Sequence, residues 1–165
     1  MEKSGIRVLT VDDHEFWRQF VASTLQTLPE LQIAGEACDG LEGVQKSEEL
    51  QPDLIIMDIG LPSLNGIEAA RRILKTSTKP IILFLSENRS PEIAKEILRT
   101  CGSGYVLKSD AARELLPAVA AVLHGKQFIS SALAGNGLGP SGDRKNNVGG
   151  DKAGIASQIK NRSQQ

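Results

Sequence analysis

Short apolar runs that alternate with helix-period segments constrain this chain more than any other feature. The runs fall at residues 6–11, 32–37, 54–57, 81–85 and 104–107. Near-continuous hydrophobicity over four to six residues suits strands buried on both faces of a parallel sheet. Between them, apolar residues recur at helical spacing: Trp17, Val21 and Leu25; Ile67, Ala70 and Leu74; Ile93, Ile97 and Cys101; Leu115, Val119 and Leu123. Stop signals at Pro29, Gly40, Pro52, Pro80 and Gly102 separate the segments. Strict alternation of five strands with five helices predicts a doubly wound α/β fold with right-handed crossovers and helices on both faces.

That pattern ends near residue 130. All six aromatic residues lie at or before Phe128. Residues 131–165 hold seven glycines, with five basic side chains against two acidic ones. The tail therefore carries +3 and the rest −4 of the net −1. Such a segment buries too little apolar surface to offset its ordering entropy. It is expected to be a disordered Gly-rich tail, with at most a helical turn near residues 153–160. The near-neutral balance does not indicate a basic nucleic-acid binder. Arg144-Lys145 and Lys160 to Arg162 are too sparse for a groove-reading face. Cys38 and Cys101 make neither a disulfide framework nor a zinc site and read as small apolar residues. The N-terminus lacks a signal-peptide pattern, and the longest apolar runs are far too short to cross a bilayer. A cytoplasmic setting is the expectation.

Ligands of open α/β sheets bind just past the carboxyl ends of the strands. The first apolar run exits into Asp12-Asp13, the third into Asp58, the fourth into Ser86 and the fifth into Lys108. Each has a plain alternative as a helix cap, turn residue, loop hydroxyl or solvated lysine. Four in register at one edge favour function. Gathered carboxylates repel unless a cation joins them. Oxygen-only donors favour a hard ion, and Mg²⁺ fits best. With Lys108 and a hydroxyl nearby, such a site suits a phosphoryl group, and a carboxylate such as Asp58 can accept it as an aspartyl phosphate.

Val11-Asp12-Asp13-His14, the stretch from Asp58 to Gly66, Ser86 and Tyr105-Val-Leu-Lys108 together resemble the receiver domain of bacterial two-component response regulators. The resemblance covers roughly residues 5–128. The segment from Leu123 to Ser130 is similar to the NarL/FixJ-like branch. It implies a flavodoxin-like sheet of five strands in the order 2-1-3-4-5. Asp58 would accept phosphate from a sensor histidine kinase, which would dock near the first helix and the loop after the fifth strand. Asp12, Asp13, Asp58 and the Gly60 carbonyl would hold Mg²⁺. Lys108 would pair with a phosphate oxygen. Ser86 and Tyr105 would switch the surface of helix 4, strand 5 and helix 5 toward a downstream protein, and self-association into a homodimer is open to it. The chain would be a phosphoacceptor that assists only its own phosphorylation and dephosphorylation.

Two departures stand out: Ser109 follows Lys108 where many receivers have proline, and Glu87 follows Ser86 where a small residue is usual. Glu87 is expected to repel the phosphodonor. The branch usually continues into a helix-turn-helix, and residues 131–165 have no helices long enough for one. A stand-alone receiver, or the remnant of a DNA-binding transcriptional regulator, is implied. Rival readings are a phosphate-independent interaction scaffold, a flavin or nucleotide carrier, and a Mg²⁺-dependent aspartyl phosphatase. The carrier needs amide and hydroxyl donors where Asp12-Asp13 stands. The phosphatase needs a second acid where Gly60 stands. His14 reads as a first-turn surface histidine, Trp17 as packing beneath its helix, and His124 as a favourable charge at a helix end.

Overall fold

A computed structural model describes residues 5–134. The elements run β1 (Ile6–Val11), α1 (Glu15–Leu25), β2 (Leu31–Ala37), α2 (Gly40–Leu50), β3 (Leu54–Met57), α3 (Gly66–Thr76), β4 (Ile81–Ser86), α4 (Pro91–Thr100), β5 (Gly104–Leu107), α5 (Ala111–Leu123), β6 (Phe128–Ile129) and α6 (Ser131–Leu133). The sheet is parallel throughout, in the order β2-β1-β3-β4-β5-β6. It has six strands, not the five expected. The sixth is two residues long, too short for hydrophobic alternation to announce it. It adds to the β5 edge through Gly104↔Phe128 and Tyr105↔Ile129.

The central strands are buried on both faces, as continuous hydrophobicity requires. Every residue of β3 and β5 is buried. β2 is the exception: as an edge strand it is only partly covered along its middle, and its pairing with β1 slips between Val8 and Leu9. Side chains on one sheet face pack against α1 and α5, with Val21, Leu25, Leu115, Val119 and Leu123 in the core. The opposite face packs against α3 and α4, with Ala70, Ile73, Ala94, Ile97 and Cys101. Cys101 is buried, but Cys38 is exposed, because it lies in the turn leaving the edge strand.

Packing continues beyond residue 130. Ser130 is fully buried and Leu133 joins the α3–α4 core. The Ser130 amide donates to the Tyr105 carbonyl at 2.9 Å, and its hydroxyl accepts from the Leu107 amide at 2.8 Å. The Ser131 amide and hydroxyl both donate to Oε1 of Glu114, on α5. The rest of the expected tail, with its helical turn and its two basic pairs, lies outside the described residues. Among those described, no helix is long and apolar enough to cross a membrane.

Candidate functional site: an acidic cleft at the strand ends

The site follows from strand register. Val11 stands opposite Met57 in neighbouring β1 and β3, so Asp12 and Asp58 leave the sheet side by side. The Asp58 amide donates to the Val11 carbonyl at 2.9 Å. Met57 stands opposite Phe84, and Ser86 opposite Leu107, which brings Ser86 and Lys108 to the same edge. Gly66 lets the following helix start close by, because a Cβ there would lie 1.8 Å from the Asp58 carbonyl oxygen.

The side chains converge. Nζ of Lys108 lies 2.9 Å from Oδ2 of Asp12 and 3.2 Å from Oδ2 of Asp58. The lysine side chain is 3% exposed and both carboxylates 8%, so this is a buried charge cluster. One oxygen from each of Asp12, Asp13 and Asp58 and one His14 nitrogen all lie within 4.8 Å of one another. Three carboxylates and one ammonium leave a formal −2, since −3 and +1 sum to −2. Clustered carboxylate oxygens with that deficit suit a hard divalent cation. Burial pushes the Asp58 carboxyl above the usual carboxylate range, Lys108 pulls it back, and Asp12 raises it again.

The acid pair is not a helix cap. α2, α3 and α4 are capped by the side chains of Asp39, Asn65 and Ser90, whereas α1 has no side-chain cap. Instead Oδ1 of Asp12 accepts from the His14 amide at 2.9 Å. The His14 ring is 61% exposed, as a first-turn surface histidine should be, yet Nδ1 stands 3.3 Å from Asp12 and 3.2 Å from Asp13.

An open cleft of about 360 Å³ lies over Asp58, lined also by Gly60, Ser86, Glu87, Asn88 and Lys108. Asn88 ties two of the expected residues together. Its amide donates to the Ser86 hydroxyl at 3.1 Å, and its carbonyl accepts from the Tyr105 hydroxyl at 2.7 Å. The Tyr105 ring is fully buried, and burial pushes its phenol above the ordinary value. Glu87 is exposed at the cleft rim. Arg89 crosses from the β4–α4 loop to the Ser109 hydroxyl at 3.3 Å.

Residues 8–120 match the response regulator receiver domain. The chain belongs to that family. It is 35% identical to the transcriptional regulatory protein LiaR of Bacillus subtilis (strain 168), over 81% of this chain and 63% of that one. It is 43% identical to protein-glutamate methylesterase/protein-glutamine glutaminase 1 of Methanosarcina mazei, over 66% of this chain and 30% of that one. A two-component response regulator of the LuxR family from Aurantimonas sp. SI85-9A1 superposes with a TM-score of 0.75 at 31% identity, covering 79% of this chain and 94% of that one. The receiver is thus NarL/FixJ-like. The chain spans less than two thirds of the length of these curated relatives.

Two contacts escaped the sequence reading. Arg18 donates to the Asp12 carbonyl at 2.8 Å and lies 3.7 Å from Glu36 on β2. It is the sole cation of α1, the helix that follows the acid pair, which is a signal the sequence does carry. Trp17 packs against the α1–α5 core as expected, but Nζ of Lys108 also stands 5.0 Å from its ring centroid. No local pattern links those two positions.

Proposed function

We propose that this receiver takes a phosphoryl group onto Asp58 from a phosphohistidine of a sensor kinase. One Asp58 oxygen forms the new P–O bond as the donor P–N bond breaks. The imidazole leaves with the electron pair and gains a proton from water. The observation that carries the reading is the Lys108 ammonium bridging Asp12 and Asp58 at buried strand ends. That ammonium is placed to pass from a carboxylate oxygen to a phosphate oxygen, a charge-assisted hydrogen bond. Asp12, Asp13, Asp58 and the Gly60 carbonyl would hold Mg²⁺. When bound, the ion would neutralise charge on the transferring group.

The switch would run through Asn88. A Ser86 hydroxyl drawn toward the phosphate gives up the Asn88 amide, and the carbonyl of the same residue holds Tyr105. Tyr105 pairs with β6, so the surface biased by phosphorylation includes β6 and α6 beside α4, β5 and α5. The chain would signal to a protein partner and carry no enzymatic activity of its own beyond the phosphoryl cycle. A cytoplasmic setting, kinase docking near α1 and the loop after β5, homodimer formation and no direct contact with nucleic acid complete the proposal.

Incubation with acetyl phosphate and Mg²⁺, read by intact mass, tests it. The expected result is one phosphoryl group per chain, and none when Mg²⁺ is chelated before the donor is added. No adduct in excess Mg²⁺ would favour the phosphate-independent scaffold. Glu87 adds a second expectation. A rim carboxylate repels a phosphate dianion by under about 1 kcal/mol across solvent. Glu87→Ala should therefore label roughly two- to fivefold faster, and an unchanged or slower rate removes Glu87 as an obstruction.

A further inference from the structure

The geometry points to Trp17 as a positioning residue that holds the Lys108 ammonium over the phosphoacceptor. This rests on the reading of Asp58 as that acceptor. Lys108 is buried, and its Nζ has carboxylate partners in Asp12 and Asp58. Among the described residues the Lys108 ammonium has no third hydrogen-bond or ion-pair partner. The ammonium also lies over the Trp17 ring, 5.0 Å from its centroid. A cation within about 6 Å of an indole face is attracted by the ring quadrupole, most strongly where water is excluded.

Phe20, packed like Trp17 against the α1–α5 core, meets the ring edge-on at a centroid distance of 5.4 Å and 74°, and the exposed Phe16 meets it from outside at 5.3 Å and 87°. Three of the six aromatic residues in the chain are spent on this one stack. Packing alone would need apolar volume, which leucine or methionine also supplies. A face presented to an ammonium needs a π system.

The consequence concerns the moment of transfer. Once Asp58 becomes an acyl phosphate its carboxyl no longer carries a full negative charge, and Lys108 must pass from it to an oxygen of the phosphoryl group. An ammonium on a four-carbon stem could then turn toward solvent. The Trp17 face is neutral, does not compete for the phosphate, and leaves the lysine free to pivot from Asp58 to a phosphate oxygen. It thereby keeps the cation within reach at little entropic cost.

Trp17→Phe keeps a π face, and Trp17→Leu keeps apolar volume without one. We expect the two variants to melt within about 2 °C of each other, a gap under roughly 1 kcal/mol for a domain of this size. Labelling by acetyl phosphate should fall about twofold in Trp17→Phe and about tenfold in Trp17→Leu, within the range of a desolvated cation–π contact. The readout that needs no phosphate is the Lys108 ammonium proton resonance, assigned by its disappearance in Lys108→Arg. It should be ring-shifted upfield in the wild type, less so in Trp17→Phe, and unshifted in Trp17→Leu. An unshifted wild-type resonance, or equal labelling rates in the two variants, overturns the inference. If the wild type fails to label but its lysine resonance is shifted, the phosphoacceptor reading has failed while the contact stands.

Discussion

Asp58→Asn should accept no phosphoryl group and should at the same time be more stable than the wild type in the absence of Mg²⁺. The first half follows from chemistry: an amide oxygen does not form an acyl phosphate under these conditions, and the neighbouring carboxylates are engaged elsewhere. Asp12 is held by Lys108 and by the His14 amide. The second half follows from electrostatics. Burial and the Asp12 charge outweigh Lys108, so the folded-state pKa of Asp58 lies above its unfolded value. An acid shifted upward contributes stability that is full below the unfolded pKa, near 4, and is lost as pH rises through the folded value. At neutral pH the ionised Asp58 therefore works against the fold. The amide retains an oxygen for the Ile59 amide, which now donates to Asp58 at 2.8 Å. We expect a gain on the order of 1 kcal/mol, about 3 °C in Tm at pH 7, vanishing toward pH 3. Thermal melts of both proteins across that range, without divalent cation, check the sign.

Lys108→Met should produce the opposite outcome on stability. It removes the one cation from a cluster in which Asp12 and Asp58 are both nearly inaccessible to water. Taking away one partner of a buried charge network typically costs about 3 kcal/mol or more, because the orphaned charges stay desolvated. For this fold that is roughly 10 °C in Tm at pH 7. The loss should shrink as pH falls toward the acid range, since burial raises the Asp58 carboxyl and lets it take up a proton there. Millimolar Mg²⁺ should restore part of it. Labelling of Asp58 should slow about a hundredfold, the usual scale for removing one charge-stabilising donor from a reacting centre. A variant as stable as the wild type at neutral pH would mean that the cluster is hydrated and that its ion pairs carry little energy.

The parts of the fold that were legible are those where a local pattern and a global need coincide. The four inner strands β1, β3, β4 and β5 are buried on both faces or close to it, and their largely apolar runs declare it, whereas edge strand β2 is covered only in part. The helices appear through spacing alone: Leu115, Val119 and Leu123 recur every four residues and are all fully buried. The site was legible because the strand exits hold it, and exits are countable along the chain. Asp12, Asp58, Ser86 and Lys108 needed only the rule that ligands gather past the carboxyl ends of a parallel sheet.

What escaped was set by partners distant in sequence. Phe128 and Ile129 become a strand because β5 presents a free edge, which two residues cannot signal by themselves. Leu133 fell within the expected tail, yet it is buried against the α3–α4 core, and Ser131 before it is fixed by Glu114. Cys38 looked apolar by type and is exposed by position, in a turn leaving the edge strand. Trp17 was assigned to packing, and it does pack; its second contact, with Lys108, depends on how α1 lies across the sheet.

The acyl phosphate itself can be located. Protein labelled by acetyl phosphate and Mg²⁺, reduced at once with borohydride and digested, should carry the reduced alcohol at position 58 and at no other carboxylate. Reduction at Asp12 or Asp13, or phosphate found instead on the His14 ring, would contradict the assignment of Asp58 as the residue that receives the phosphoryl group.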